Sequence, residues 1–502
     1  METIISAIMG ELATRSLSFL IGRYLKTASS KEESSQRLQW MLQRVHLTVE
    51  EAEGRCITNQ AMLQQLNILR EVMYRGYYIL DTFIQQAPEE EKDNDQGTNR
   101  SLSLSKFNPA KRFCFSAGSK YGTKRTEEML ESVEIAIANM SEFVIFLRNY
   151  PRMFRQPYST YLFIEKCMFG RQMEMDRVTN FLLYEEPPVD GNFGVLPIVG
   201  PGKVGKTTLV EHVCCDERVR NHFSCIIFLS DNDFREEKQC TLRDQGRIKH
   251  QHDDSNEEKL LVIVELVGNV DESAWRRLLS AYQSSVSTSS KIIITSRSEN
   301  ITNFGTTQAL SLNFLSREAY WYFFKALLFG STDPEEQPML ASIALKIFDE
   351  YFDQEIYTPF TGPFIDLNNA ANLLKSRVGA QNWRRILGCI RENRQQNERL
   401  SRKILSDFGM ENDHIFLRRV TETTQYCVLH NHDRIRLDNE DTPKTTLVEI
   451  ISGSVPPHGK FEVLVWKSHL PPYHNHIYSC EILDLGCEVT RNKQCEKRKI
   501  LS

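Results

Sequence analysis

The stretch Val195–Val210, V-L-P-I-V-G-P-G-K-V-G-K-T-T-L-V, constrains the fold more than any other part of the chain. An apolar run from Val195 to Val199 reads as a buried strand. Gly200-Pro201-Gly202-Lys203-Val204-Gly205-Lys206-Thr207 follows, and then a helical pattern. This is G-x-x-x-x-G-K-[ST] set between a strand and a helix, the arrangement of a phosphate-binding loop. Gly200, Gly202 and Gly205 let the backbone curl so that its N–H groups face a phosphate. Lys206 would reach the β- and γ-phosphates, and Thr207 would offer its hydroxyl to Mg²⁺. The helix N-terminus adds positive dipole. A glycine-rich turn without a ligand is the competing reading, and the two flanking elements argue against it.

Three further apolar runs, Cys225–Leu229, Leu260–Val264 and Ile292–Thr295, read as buried parallel strands with helical segments between them. The alternation predicts an open α/β sheet. A phosphate-loop nucleotidase carries an acid at the end of a second strand to hold the Mg²⁺ shell. Here that strand ends in Glu265-Leu266, one carboxylate followed by an apolar residue. Two readings of Glu265 stand: a group that reaches a metal-bound water, and a solvated acid at a strand end. Asp271 and Glu272 lie several residues on and could activate a water only if the loop folds back. Binding is therefore better supported than hydrolysis, and no catalytic residue is assigned beyond Glu265. Arg297, after the third run, is placed to sense a γ-phosphate by bidentate contacts; the alternative is a surface ion pair with Glu299.

Before the phosphate loop, apolar residues recur at helical spacing in four segments, Ile4–Ile21, Leu38–Val49, Leu63–Ile84 and Leu130–Leu147. They predict a small antiparallel helical bundle over residues 1–150, with a polar linker at 86–125. The net charge of −5 over 502 residues gives no basic footprint for direct nucleic-acid binding. No apolar run is long enough to span a bilayer, and the charged residues near the N-terminus do not fit a secretory signal. The 12 cysteines contain no close C-x-x-C pair and read as reduced thiols, which points to the cytoplasm. The basic cluster Lys493–Lys499 adds a nuclear alternative.

Taken in order, Phe169-Gly170-Arg171, Gly200–Leu209, Asp216–Phe223, Leu260–Glu265, Asp271–Leu279 with Trp275, and Lys291–Arg297 resemble the NB-ARC region of plant intracellular immune receptors of the NLR type. The N-terminal helices are similar to that family's Rx-type coiled-coil domain, with its acidic helix-three motif falling at Tyr77-Tyr78-Ile79-Leu80-Asp81. The resemblance covers roughly residues 1–400 and implies ADP and ATP as ligands, with Mg²⁺ carried by the nucleotide. It implies that Gly205, Lys206, Thr207 and Thr208 hold the phosphates, that Arg171 lies near the adenine end, and that Arg297 is the sensor. It also implies a switch that is closed with ADP and associates through its helical domain with ATP. Other receptors or signalling proteins would be its partners, and membrane association is expected on activation alone.

The chain departs from the family pattern in four places. Glu265-Leu266 replaces two aspartates, and two tyrosines replace acids at 77 and 78. The region Asp231–Lys259 is short and polar, so that a strand–helix unit is expected to be missing, and Thr361-Gly362-Pro363-Phe364 keeps only the Gly-Pro of a Gly-Leu-Pro-Leu signature. No L-x-x-L-x-L repeat occurs, so the expectation is a truncated receptor. The expected architecture is multidomain: the helical bundle at 1–150, an α/β phosphate-loop domain at 151–310, a helical subdomain at 311–402, and a β-rich region of uncertain fold at 403–502. Within the last, Ile415–Val420, Gln425–Leu429, Arg434–Leu437 and Phe461–Trp466 read as strands. Asn431-His432-Asp433 and Lys444–Leu447 read as chance matches to family motifs. His474, His476, Cys480 and Cys487 are spaced too loosely for structural zinc and read as ordinary loop and strand residues. Two function readings stay open beside the switch: an active ATPase using Glu265 with Asp271 or Glu272, and a scaffold that binds no nucleotide.

Overall fold

The computed structural model describes residues 31–57, 59–85, 120–152, 167–184, 193–230, 248–249, 259–266, 272–283, 290–330, 337–352, 362–408, 414–420, 425–436, 442–453 and 459–484. It forms two compact units, Met1–Arg155 and Gln156–Ser502.

In the first unit the sequence stripes become α1 (Lys31–Glu53), α2 (Gln60–Gln85) and α3 (Lys120–Leu147). Leu38, Leu42, Val45 and Val49 of α1 face Leu63, Leu66 and Met73 of α2 and Val133 and Phe143 of α3, all buried. Their spacing of three and four residues is what puts them on one stripe. Gly76 lets α1 and α2 approach closely, since a Cβ there would lie 2.4 Å from a Leu42 methyl. A buried ion pair, Arg70 Nε to Glu53 Oε1 at 2.8 Å, ties the same two helices. The segment Ile4–Ile21 lies outside the described residues. The expected linker at 86–125 is too long at its C-terminal end, because α3 starts at Lys120. Its first turns carry Lys124, Glu127 and Glu128, good helix formers that extend a helix without any apolar stripe to announce it.

Tyr77 and Tyr78, which stand where acids were expected, point inward. The Tyr77 hydroxyl lies 3.1 Å from His46 Nδ1, and the rings meet edge to face. Burial, and then the charges of Asp81 and Glu50, push the Tyr77 phenol up to about 12. A phenol can be buried at the price of one hydrogen bond, whereas a carboxylate at the same place would need a charged partner.

The second unit is built on a six-stranded sheet of order β3-β2-β4-β5-β1-β6. Its strands are β1 (Gly194–Val199), β2 (Cys225–Leu229), β3 (Ile248–Lys249), β4 (Leu260–Leu266), β5 (Lys291–Ser296) and β6 (Leu310–Ser311). All neighbours are parallel except β3, which pairs antiparallel with β2 at the edge. The central strands are buried on both faces, which is why they read as unbroken apolar runs. Leu196, Ile198, Ile226, Leu261, Ile263 and Ile293 meet Val178, Phe181 and Leu182 of α4 (Gln172–Leu183) and Leu209, Val210 and Val213 of α5 (Lys206–Cys214). The alternate residues, Val195, Ile227, Val262, Val264, Ile292 and Ile294, meet Trp275 of α7 (Glu272–Gln283) and Ile301. A short helix α6 (Glu217–His222), capped by Asp216, links α5 to β2. Of the polar stretch 231–259, β3 and Lys259 alone are described.

Among the described residues four helices follow: α8 (Arg317–Phe329), α9 (Pro338–Phe352), α10 (Pro363–Ser376) and α11 (Ala380–Phe408). Ser316 caps α8 by accepting from the Ala319 amide at 3.3 Å. α11 runs past the boundary expected near residue 402, because Leu400, Ile404 and Phe408 continue its four-residue spacing. The remaining strands β7 (His414–Arg418), β8 (Gln425–Arg436), β9 (Lys460–Lys467) and β10 (Asn475–Asp484) form an antiparallel sheet of order β7-β8-β10-β9. The two strands expected at 425–429 and 434–437 are one. Asn431-His432-Asp433 stays in β8 because β10 pairs on both sides of it, and a register shift between Ile477 and Ser479 absorbs the mismatch. The sequence reading passed over β10 and also over α12 (Leu447–Ser452). Thr446 and Glu449 form a capping box at the start of α12.

Candidate nucleotide site

β1 ends at Val199, and the chain then turns through the glycine loop into α5. Gly200 approaches the backbone of the next crossover so closely that a Cβ would sit 2.1 Å from the Leu312 carbonyl oxygen. Lys203 and Gly205 take left-handed conformations, φ 62° and 95°, that curl the loop before α5 begins. Lys206 Nζ donates to the carbonyl oxygens of Gly200 and Pro201, each at 2.8 Å. Its ammonium is thus held at the centre of the loop. Burial and the neighbouring Arg297 lower its pKa, and Glu265 opposes them. A phosphate there would relieve both effects.

Sheet order places the other site residues. β5 lies between β1 and β4, with Val199 opposite Ser296 and Glu265 opposite Thr295. Arg297, one residue beyond β5, therefore stands between the phosphate loop and Glu265. Its guanidinium packs on Gly202, where a Cβ would be 3.1 Å away. Among the described residues no ion pair joins it to Glu299. Thr207 Oγ1 donates to Glu265 Oε1 at 2.6 Å. A hydroxyl and a carboxylate thus converge beside the loop as hard oxygen donors, chemistry that suits Mg²⁺. Leu266, where the family's second acid would stand, is buried against α7 instead. Glu272 opens α7 on the surface, paired with Arg276 at 2.6 Å; Asp271 lies outside the described residues.

Gly202, Gly205, Lys206, Thr207, Glu265 and Arg297 line one cavity of about 460 Å³, together with Thr208 and Arg171, whereas Gly200 packs on Leu312. Its lining also has an apolar part, formed by Met168, Phe169, Phe323, Phe364 and Ile365. Phe323 meets Phe169 and Phe364 at ring-centroid distances of 5.2 and 5.3 Å. Arg171 lines the cavity but is itself engaged: its guanidinium donates to the Asn313 carbonyl and pairs with Glu174 at 3.1 Å. That fixes the turn carrying Phe169. Glu265 is the one carboxylate among the described residues that line the cavity.

Sequence reasoning noted the Gly362-Pro363 remnant without placing it in this wall, and missed another part of it. Gly362 and Pro363 start α10, with φ 91° at Gly362 and the Lys203 carbonyl only 3.0 Å from where a Cβ would be. A glycine before a helix-starting proline was the available signal. The end of β9 and its connection to β10 also line the cavity, through Trp466 and through His469 and His474. His474 Nε2 lies 2.7 Å from Glu211 of α5, and His212 contacts the Pro471 carbonyl at 3.3 Å. No local pattern announces a contact over some 260 residues. Among the described residues no cluster of three metal-ligating side chains occurs; Cys480 is buried beside Cys427, and Cys487 lies outside the described residues.

Comparison with known proteins matches residues 171–333 to the NB-ARC domain and residues 8–113 to the Rx N-terminal domain. The chain is 25% identical over 346 residues to disease resistance protein RGA2 of Solanum bulbocastanum, covering 66% of this chain and 34% of that protein. It belongs to the NLR type of plant disease resistance protein. A second NLR-type relative, the putative disease resistance RPP13-like protein 1 of Arabidopsis thaliana, is 24% identical over 66% of this chain and 33% of its own length. The chain thus spans about a third of these curated relatives. Among solved structures, Saccharomyces cerevisiae RIF2 overlays with a TM-score of 0.27 at 12% identity, covering 44% of this chain and 89% of that one; a likeness so slight carries no argument. The NB-ARC domain is a nucleotide-binding domain, and its matched span contains the glycine loop, Glu265 and Arg297 of this NLR chain. No helix among its described residues is long and apolar enough to cross a membrane.

Proposed function

We propose that this NLR chain is an ADP- and ATP-binding switch in plant intracellular immunity that hydrolyses ATP weakly or not at all. The observation that carries this reading is the mixed lining of one cavity. Lys206, Thr207, Thr208 and Arg297 supply its polar part, and Phe169, Phe323 and Phe364, whose rings meet at Phe323, its apolar part. Backbone N–H groups of the glycine loop and the α5 N-terminus would hold the phosphates, while the aromatic part would take the base. Arg297 would distinguish a γ-phosphate by its fork of donors. Thr207 and Glu265 would hold Mg²⁺, which when bound neutralises phosphate charge. Weak hydrolysis follows from the acid inventory: water activation needs a carboxylate separate from the metal-holding one, and Leu266 occupies the adjacent place. Signalling would proceed by association through the N-terminal helices, where Trp40 and Leu47 share a face of α1 and are 68% and 55% exposed.

The test pairs a binding assay with a turnover assay. A fluorescent ADP should bind the wild-type chain, and Lys206→Ala should weaken it at least about tenfold, the loss of one charge-assisted contact. Steady-state phosphate release should stay at about 10⁻³ s⁻¹ or slower. Faster release that disappears in Glu265→Gln would make the chain an ATPase. Unchanged ADP binding in Lys206→Ala would remove the loop from the account.

A further inference from the structure

The C-terminal sheet carries a pair of thiols that neither the nucleotide site nor the fold's connectivity requires. Cys427 lies on β8 and Cys480 on the adjacent β10, with their Sγ atoms 2.7 Å apart. The pairing register sets Cys480 opposite Leu429 and Cys427 opposite Ile482, so the two cysteines are diagonal neighbours. Side chains alternate along a strand, so residues 427 and 429 share a face with 480 and 482. That face packs on α12, and both cysteines belong to the cluster of Leu429, Leu447, Ile450, Val463 and Tyr478. Each is 0% exposed. Diagonal neighbours on one face are within reach of each other, and the Sγ atoms need approach by only about 0.7 Å to reach bonding distance.

We propose that Cys427 and Cys480 are an oxidisable dithiol that closes into a disulfide between the two central strands of the C-terminal sheet when a peroxide reaches it. One thiol attacks the peroxide O–O bond, giving a sulfenic acid and water. The second sulfur then displaces the hydroxyl, which leaves as a second water. Two S–H bonds and one O–O bond break, one S–S bond and two O–H bonds form, and the two electrons lost by the thiols reduce hydrogen peroxide to two waters. Burial slows the first step: Cys427 is held well above the ordinary thiol range by the contact with Cys480 and by desolvation, so little thiolate is present. Reaction therefore waits on opening of the α12 face, and the exposed Cys56 reacts earlier. Once closed, the bond restricts the unfolded chain over the 53 residues that separate the two positions.

Peptide mapping of the full-length chain tests this. The reduced protein is treated with hydrogen peroxide, quenched, unfolded in an alkylating agent and digested without reductant. The expected result is a peptide pair joined through Cys427 and Cys480, about 2 Da lighter than its reduced parts, together with a higher denaturant midpoint for the sheet than in the reduced protein. Cys427→Ser and Cys480→Ser should each remove both effects; should a variant fail to fold, the mapping of the wild-type chain decides alone. Recovery of both cysteines alkylated after peroxide treatment, or their linkage to other cysteines instead, would overturn the proposal. So would a midpoint that does not move when the linked pair is present.

Discussion

At the scale of single residues, the two end glycines of the phosphate loop do different work, and substitution separates them. Gly200 is required by space: a Cβ would collide with the Leu312 carbonyl, which is backbone and cannot rotate away. Gly205 is required by conformation: at φ +95° a Cβ meets nothing within 4 Å, so strain alone opposes it. Gly200→Ala should cost about 3 kcal/mol, the upper range for overpacking. Gly205→Ala should cost about 1–2 kcal/mol, the left-handed penalty for an L-residue. Urea unfolding measures both, and equal losses would contradict the distinction. His212 supplies a pH prediction. Burial lowers its pKa below 6.5, against the raising effect of the Pro471 carbonyl and of Asp216. The unfolded chain then binds the proton more readily than the folded one, so stability is full above about 6.5 and falls as the pH drops below it. His474 and Glu211 pair nearby at 2.7 Å, so the comparison must be with His212→Asn. Asn keeps a donor for the Pro471 carbonyl and should flatten part of the acid slope. An unaltered slope would assign the acid sensitivity elsewhere.

At the scale of elements, legibility followed whether the cause was local. β1, β2, β4 and β5 were readable to within two residues because a strand buried on both faces leaves a continuous apolar run. The Ser316 cap and the stripe of α8 were readable for the same reason. β10 was not, because His474-Asn475-His476 and Glu481 break its pattern, and its place is fixed by pairing with β8 and β9. The true extent of β8 was hidden by Asn431-His432-Asp433, which reads as a turn in isolation and stays in the strand because β10 pairs before it at His430 and after it at Arg434. In the helical unit, the buried Arg70–Glu53 pair joins α1 to α2, a contact invisible in either stripe. Arg70→Ala should destabilise that unit by about 3–5 kcal/mol, because it takes the guanidinium away from a buried carboxylate, Glu53. The double variant Glu53→Gln, Arg70→Leu should recover most of the loss. Thermal or denaturant unfolding monitored by circular dichroism tests this; a double variant no better than the single would show that the pair itself, and not the buried carboxylate left without Arg70, carries the energy.

At the scale of the whole molecule, the chain divides labour between a helical unit and a larger unit in which the α/β sheet, the helices α8–α11 and the C-terminal sheet share one body. The phosphate part of the cavity was legible because a single sixteen-residue stretch encodes it. The apolar part was legible only in part: Phe169 sits in a recognisable turn, whereas Phe323 and Phe364 come from separate helices brought together by folding. The wall contributed by the β9–β10 connection was not legible at all. The central claim remains that this cavity holds an adenine nucleotide. The most direct measurement is the nucleotide content of the purified chain, released by heat and separated by chromatography. Close to one ADP per chain in the wild type, and none in Lys206→Ala, is the predicted result. A wild-type chain that carries no nucleotide and takes up neither added ADP nor ATP would contradict the account and leave the glycine loop a structural turn.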